Sequence, residues 1–407
     1  MKKWMAKLCL VTFALSLLFG SYQYILPDGQ RAEAAVQEEL RGVWIASVYN
    51  IDFPSKQGLS AEQMKQELDG ILNNAQAMHL NAVFFQVRPT ADALYRSNLY
   101  PWSVYLTGTQ GQVPAQGFDP LAYLVAEGKK RGIGIHAWIN PYKITRGTAA
   151  KPNWDTSALA ETNPARLYPD LVVAHSSGEL YLNPGEPMSR YLVLQGVKEL
   201  LDRYDLAGIH YDDYFYPDGN FDDAATFAKY GQGYSSIEDW RRHNVDLLVQ
   251  ETYDLVHQKQ GVVFGVSPAG VWANKSSNAA GSNTTAGVET YYDHYADTRK
   301  WVQKGWLDYI APQIYWQIGH KQCDYATLLD WWSNVTRGTG VKLYVGHAAY
   351  KTGDSNQGSQ WLDGQELTRQ IAYNRVNGNV DGSIFYGYSA LKNNVLGIKD
   401  SVTGLFE

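Results

Sequence analysis

Eight short runs rich in β-branched and aromatic residues recur along the chain, many of them bounded by Gly or Pro. They predict strands at Leu40 to Val48, Ala82 to Val87, Gly134 to Ile139, Gly208 to Tyr216, Val262 to Val266, Tyr309 to Trp316, Lys342 to His347 and Ser383 to Tyr388. The stretches between them carry helical periodicity. Ser60-Ala61-Glu62-Gln63 is a capping box that opens a helix to about Met78, and Asp119-Pro120 supplies an N-cap and a first-turn proline for a helix ending near Gly132. Further helices are predicted over Met188 to Tyr204, Ile237 to Gln258, Asp293 to Lys304, Tyr325 to Val335 and Gln365 to Val376. Ser276 to Thr285, rich in small polar residues, reads as an exposed loop.

Alternating strands and helices fit either an open doubly wound sheet or a closed (β/α)8 barrel. The polar positions choose between them. Nearly every strand breaks at its C-terminal end into polar or aromatic residues: Gln86 and Arg88, His136 and Asn140, His210 and Asp212, Ser267, Gln313 and Tyr315, His347, Tyr386. A barrel gathers all such ends on one face, whereas an open sheet concentrates them at one switch point. No glycine-rich phosphate loop follows the first strand, which argues against nucleotide binding. The expected fold is a single α/β TIM barrel.

The first residues change the picture of where this barrel works. Lys2, Lys3 and Lys7, the apolar stretch Leu8 to Phe19 and the small-residue site Ala32-Glu33-Ala34 read as a secretory signal peptide over residues 1–34, leaving residues 35–407 as the mature domain. The apolar run is too short for a membrane span, and Lys7 argues against lipid attachment at Cys9. A secreted protein without stable membrane insertion is expected. After cleavage only Cys323 remains, so no intramolecular disulfide is expected. The net charge of −6 disfavours nucleic acid as a partner. With 13 Trp, 29 Tyr and 12 Phe, the chain is well supplied with flat faces that stack on sugar rings or fill a core.

Glycosidic bond cleavage usually requires one carboxyl group to protonate the leaving oxygen and another to act as nucleophile or base. Asp212 and Asp213 are the first catalytic candidates. On an extended strand neighbours face opposite sides, so Asp212 would share the interior with His210, and Asp213 would point outward unless the strand has ended. Asp212 is therefore the favoured acid. The bland alternative for the pair is a loop cap or a structural cation site. For a second acid the sequence offers Asp92, Asp218, Glu289, Asp293 and Asp297. The last two lie four apart on the predicted helix, where placement near its N-terminus is explanation enough. Gln86, Arg88, Asn140 and Gln313, with Tyr142 and Tyr315, are candidate partners for sugar hydroxyls, and Trp138, Trp272 and Trp316 are candidate stacking faces. His136, His210 and His347 with Asp212 are ordinary metal-ligand types, but without close His-x-His or His-x-x-x-His spacing no metal or other cofactor is expected.

Six segments in order carry a specific resemblance. Leu40-Arg41-Gly42-Val43-Trp44-Ile45, Phe85-Gln86-Val87-Arg88-Pro89, His136-Ala137-Trp138-Ile139-Asn140-Pro141-Tyr142, Asp212-Asp213-Tyr214-Phe215-Tyr216-Pro217, Ser267-Pro268 with Gly270-Val271-Trp272, and Ala311-Pro312-Gln313-Ile314-Tyr315-Trp316 resemble the glycosyl-hydrolase-like 10 family. The resemblance spans essentially the whole mature chain. It implies a (β/α)8 barrel and a polysaccharide substrate, with peptidoglycan glycan strands that have lost their stem peptides as the leading class. It also implies that the family's paired aspartates are Asp212 and Asp213, and that its Tyr-Asp and Ala-Asp positions are Asp293 and Asp297. In related barrels the substrate's N-acetyl group replaces the enzyme nucleophile, which would account for the lack of an obvious second acid. A binding barrel without turnover and a metal-dependent amidase or deacetylase are the competing readings.

Overall fold

The computed structural model describes residues 39–406; the expected signal peptide lies outside them. The described residues form ten strands: β1 Leu40–Ile45, β2 Ala82–Arg88, β3 Gly134–Ile139, β4 Val172–Ala174, β5 Leu180–Leu182, β6 Gly208–Tyr211, β7 Val263–Val266, β8 Tyr309–Ile310, β9 Lys342–Ala348 and β10 Gly382–Tyr386. Eight of them close a parallel barrel in the order β1-β10-β9-β8-β7-β6-β3-β2, while β4 and β5 form a separate antiparallel hairpin in the excursion that follows β3. All eight predicted strands are barrel strands; the hairpin escaped notice because each of its strands has only three residues.

Seven helices cross back between successive barrel strands: α1 Ala61–Ala77, α2 Pro120–Lys130, α3 Pro187–Arg203, α4 Ile237–Val256, α5 Thr298–Lys304, α6 Tyr325–Thr336 and α7 Glu366–Asn377; α8 Ile398–Phe406 follows β10. The capping box forms as expected, Gln63 N donating to Ser60 Oγ at 3.2 Å and Ser60 N to Gln63 Oε1 at 3.0 Å. Among the described residues, no helix is long and apolar enough to cross a membrane. Cys323 is buried and unpaired.

The period-two alternation of β1 and β2 sorts their side chains cleanly. Val43, Ile45, Val83, Phe85 and Val87 join the large core beneath the helices, while Trp44, Ala46, Ala82 and Phe84 enter a second core inside the barrel. That interior is aromatic and polar at once: Phe84 stacks on His136 at 4.4 Å, and His210 lies parallel to Tyr309 at 6.0 Å. Glycine on the strands makes room for these rings. A Cβ on Gly265 would stand 2.2 Å from the Tyr309 ring, and one on Gly208 would stand 2.3 Å from His136 Nδ1.

Four predicted strands end earlier than expected, at Ile45, Tyr211, Ile310 and Tyr386. The predicted helix over Asp293 to Lys304 is broken as well. A short turn, Thr290–Asp293, is followed by Tyr295 in the left-handed region, φ 53°, and α5 starts only at Thr298 with Asp297 as its N-cap.

Candidate active site

A cavity of about 250 Å3 opens at the C-terminal ends of the barrel strands. Trp44, Trp138, Ser267, Gln313 and the two aspartates line it together with Gln86, Asn140, Tyr315 and Tyr386; Val48, Tyr49, Ile51, Arg146 and Tyr214 complete the wall. Among these residues only Asp212 and Asp213 are acidic.

Both aspartates follow the last residue of β6, so strict alternation no longer applies to them and Asp213 also borders the cavity. Asp212 is the deeper of the two and is buried; Asp213 is half-buried. Each oxygen of Asp212 is held. Trp138 Nε1 donates to Oδ2 at 3.1 Å, and Gln313 Nε2 and the Asp213 backbone N–H donate to Oδ1 at 3.1 and 2.9 Å. Burial and the adjacent carboxylate push Asp212 well above the usual aspartate range, and burial raises Asp213 as well. The two groups are consecutive in the chain, and the Asp213 charge beside Asp212 makes it hold its proton to a higher pH than an exposed aspartate would.

Beneath this pair the barrel interior is tied together through His210. Its Nε2 meets Trp44 Nε1 at 3.1 Å and Ser267 Oγ at 2.9 Å, and its Nδ1 meets the Tyr309 hydroxyl at 3.0 Å. Burial holds the imidazole pKa far below its ordinary value, so the ring is neutral and accepts from the indole. Gln86 is equally committed: its Oε1 accepts the backbone N–H of Ser47 and of Val48, both at 3.0 Å, and its Nε2 points to Asn140 Oδ1 at 3.4 Å. On the far wall Tyr315 and Tyr386 stand parallel, 6.0 Å apart.

A charged cluster under the rim comes from the excursion after β3. Glu179, in the β4–β5 turn, accepts from Lys143 Nζ at 2.9 Å and the Tyr181 hydroxyl at 2.6 Å and pairs with Arg146 at 3.2 Å. Burial, with the Arg146 charge beside it, pulls Lys143 down to about 8. The Lys143 ammonium sits 4.4 Å over the Tyr214 ring, linking this cluster to the residue after the aspartate pair.

The fold thus brings together Gln86, Trp138, Asn140, Asp212, Asp213, Gln313 and Tyr315 around the cavity, with His210 one layer below. Five candidates lie elsewhere. Arg88 should share the face of Gln86, but β2 takes two residues, Gln86 to Arg88, where β3 takes one, Trp138 to Ile139. This bulge turns the guanidinium outward, where it is buried 4.4 Å over the Tyr100 ring and against Gly196 of α3. Tyr142 is fully buried in the core and does not reach the cavity. Trp272 packs on Tyr291 and Trp331 and donates to Asp297 at 3.0 Å. Asp293 accepts the Glu289 N–H at 2.7 Å, closing its own turn. Trp316 packs over Gly270 without bordering the cavity.

None of Asp92, Asp218, Glu289, Asp293 and Asp297 supplies a second acid to the cavity. Glu289 accepts the Asn274 N–H, Asp218 pairs with His175, and Asp92 is buried against Val104 and Gln110. Among the described residues no three His, Cys, Asp or Glu side chains are gathered where they could hold a metal ion. His347 is instead fixed between Gln370 and Ser383, and burial drops His136 to about 3. Sequence reasoning passed over Trp44, Tyr49, Arg146 and Tyr214 as wall residues. The alternation of β1 points to Trp44, but Arg146 sits in an irregular excursion that carries no periodic signal.

The sequence profile of the glycosyl hydrolase-like 10 family matches residues 39–363. Glycosyl hydrolase YngK of Bacillus subtilis is 46% identical over 400 residues, covering 97% of this chain and 76% of that protein. Glycosyl hydrolase DigH of Escherichia coli K12 is 36% identical over 384 residues, covering 88% of this chain and 86% of that protein. Among solved structures, the PgaB (BpsB) glycoside hydrolase domain of Bordetella bronchiseptica superposes with a TM-score of 0.55 at 13% identity, covering 90% of this chain and 98% of that one. The endo-1,4-beta-D-mannanase of Thermotoga petrophila does so with a TM-score of 0.51 at 12% identity, covering 86% and 88%. At those identities the likeness is one of fold.

Proposed function

The chain belongs to the glycosyl hydrolase-like 10 family and is a glycoside hydrolase, and from that premise we propose that it cleaves the N-acetylated glycan strands of the bacterial cell wall, with the substrate's own acetamido group as nucleophile. The observation that supports this reading is that the only two acids lining the cavity are consecutive residues at the end of one strand. A retaining enzyme with its own nucleophile separates its carboxyl groups by about 5 to 5.5 Å, and an inverting one by about 6.5 to 9.5 Å, on either side of the scissile bond. Two carboxyl groups on consecutive residues at one strand end stand on one side of the sugar. The attack on the opposite face must then come from the substrate.

In this scheme the proton that Asp212 holds in the free enzyme passes to Asp213 when the acetamido N–H binds Asp212, and Asp213, nearer the rim, gives it to the glycosidic oxygen as the bond to C1 breaks. Asp212, fixed by Trp138 and Gln313, accepts the acetamido N–H and increases the charge on the acetamido oxygen, which bonds to C1 from the other side. Water, deprotonated by the Asp213 carboxylate, then opens the cyclic intermediate. Trp44, Trp138 and Tyr315 enclose the ring, and burial, which raises both aspartates, favours a protonated acid.

Cell-wall glycan without stem peptides is the proposed substrate because a cavity this small, walled by Tyr214 and Arg146, favours an unbranched chain. Secretion by the segment 1–34 puts the enzyme in the same compartment. The test is release of reducing ends, with product masses, from amidase-treated and untreated peptidoglycan by the wild type, Asp212→Asn and Asp213→Asn. Activity on stripped glycan, lost in both variants and blocked by a thiazoline mimic of the cyclised sugar, is expected. Activity untouched by the thiazoline at high concentration overturns the acetamido mechanism, and no products from any glycan overturn the substrate.

A further inference from the structure

A second cavity, about 350 Å3, lies against the first. Its walls come from three loops at the same barrel mouth: the one after β1 with Tyr49, the one after β2 with Thr90 to Gln110, and the excursion after β3 with Ile144 to Leu159. Tyr49 and Arg146 border both cavities. The cavities against α1 and between α3 and α4 share no lining residue with the catalytic one.

The partition is built in an unusual way. Tyr49 and Asn50 are consecutive non-glycine residues in the left-handed region, φ 54° and 56°. Such a conformation is unfavourable for a residue with a Cβ and persists only where surrounding contacts impose it. Here Asn50 imposes it, its Nδ2 donating to Pro54 O at 2.8 Å and Tyr105 O at 2.9 Å. The result is a tyrosine whose backbone is fixed while the residue stays 56% exposed. Arg146 lies 5.3 Å over its ring, and Tyr105 meets it edge to face at 6.2 Å. A large aromatic left open at the junction of two cavities contributes little to the core. Its remaining surface is a platform for an apolar sugar face.

We propose that the second cavity is a binding subsite for the neighbouring sugar of the same glycan chain, and that Tyr49 is the stacking platform that joins it to the catalytic subsite. The floor suits a hydroxylated ligand. Asp92 is held by Val104 N at 3.1 Å and by Gln110 Nε2 at 3.1 Å, and Thr109 and Asn153 stand on the wall. The enzyme therefore reads at least two consecutive sugars, and occupancy of the second one governs affinity for long chains. The inference rests on the glycan reading above, although binding alone suffices to test it.

The experiment is a calorimetric titration of the full chain, as wild type, Tyr49→Ala and Tyr49→Phe, with N-acetylglucosamine, its β-1,4-linked oligomers of two to six sugars and stripped peptidoglycan tetrasaccharide. Alanine is chosen because, like tyrosine, it pays for a positive φ, so the loop energetics are little changed. Expected in Tyr49→Ala is a loss of about tenfold in affinity for every oligomer of two or more sugars, a clearly smaller loss for the single sugar, and recovery in Tyr49→Phe. Equal affinities for wild type and Tyr49→Ala at every length overturn the platform, as does a loss as large for the single sugar as for the oligomers. Failure of every oligomer to bind the wild type at millimolar concentration overturns the subsite. Length-dependent binding without cleavage leaves the subsite standing and defeats the hydrolytic reading instead.

Discussion

Trp138 on β3 donates its indole N–H to Asp212 Oδ2 at 3.1 Å, a bond between a barrel strand and the residue just beyond its neighbour. It favours the charged form of Asp212 against burial and the Asp213 carboxylate, which both raise it. Trp138→Phe keeps the ring and removes the donor. The aspartate pair then holds its proton more strongly, so the acid limb of the pH–rate profile is expected to move upward and kcat to fall about 10- to 100-fold. A fall in kcat with no shift of that limb would show that the indole acts through packing alone.

Substrate assistance fixes stereochemistry. Two displacements at C1 leave the anomeric configuration as it began, so proton NMR early in the reaction is expected to detect the retained anomer first. The inverted anomer as first product would call for a water placed by a distant base.

Asp52 connects acidity to stability. Burial raises its carboxyl to about 6 from 3.8, while the Ala46 N–H, at 2.9 Å from Oδ2, draws it down. Because the folded state binds this proton more tightly than the unfolded chain, stability is undiminished below pH 3.8 and decreases as pH rises to about 6. Asp52→Asn keeps the acceptor for Ala46 and removes the charge. It is expected to raise unfolding free energy by about 1–2 kcal/mol at pH 7.5 and to change little at pH 4, as read by urea midpoints.

Gly265→Ala forces a methyl group to within 2.2 Å of the Tyr309 ring. The ring must move, and its hydroxyl is the partner of His210 Nδ1 at 3.0 Å. A loss of about 1–3 kcal/mol in stability is expected, with reduced activity as the layer under Trp44 and Ser267 loosens. Denaturation and turnover measured on one preparation check both.

Glu179→Gln leaves Lys143 and Arg146 facing each other under the rim without their shared carboxylate. Since Lys143 is nearly inaccessible, the expected cost is about 3 kcal/mol or more, and Lys143→Met in the same chain is expected to recover part of it. A thermal midpoint unchanged in Glu179→Gln would mean that water reaches this cluster freely.

The alternation of apolar runs and amphipathic stretches was sufficient to predict eight barrel strands and most of their helices, because strand and helix periods are local properties of the chain. The polar break at each strand end picked out Gln86, Asn140, Asp212, Gln313 and Tyr315, which border one cavity because in a closed parallel barrel all those ends meet on one face. What the tertiary structure decided begins where local periods fail. One extra residue in β2 sends Arg88 into the outer core while Gln86 stays inside, and the end of β6 at Tyr211 lets two consecutive aspartates border one cavity. Tyr49 and Arg146 meet at the partition only because two irregular loops, far apart in sequence, pack against each other. Periodicity says which face a side chain takes along a regular element. Bulges, strand ends and loop-to-loop contacts depend on atoms distant in the chain, and those fixed the shape of this site.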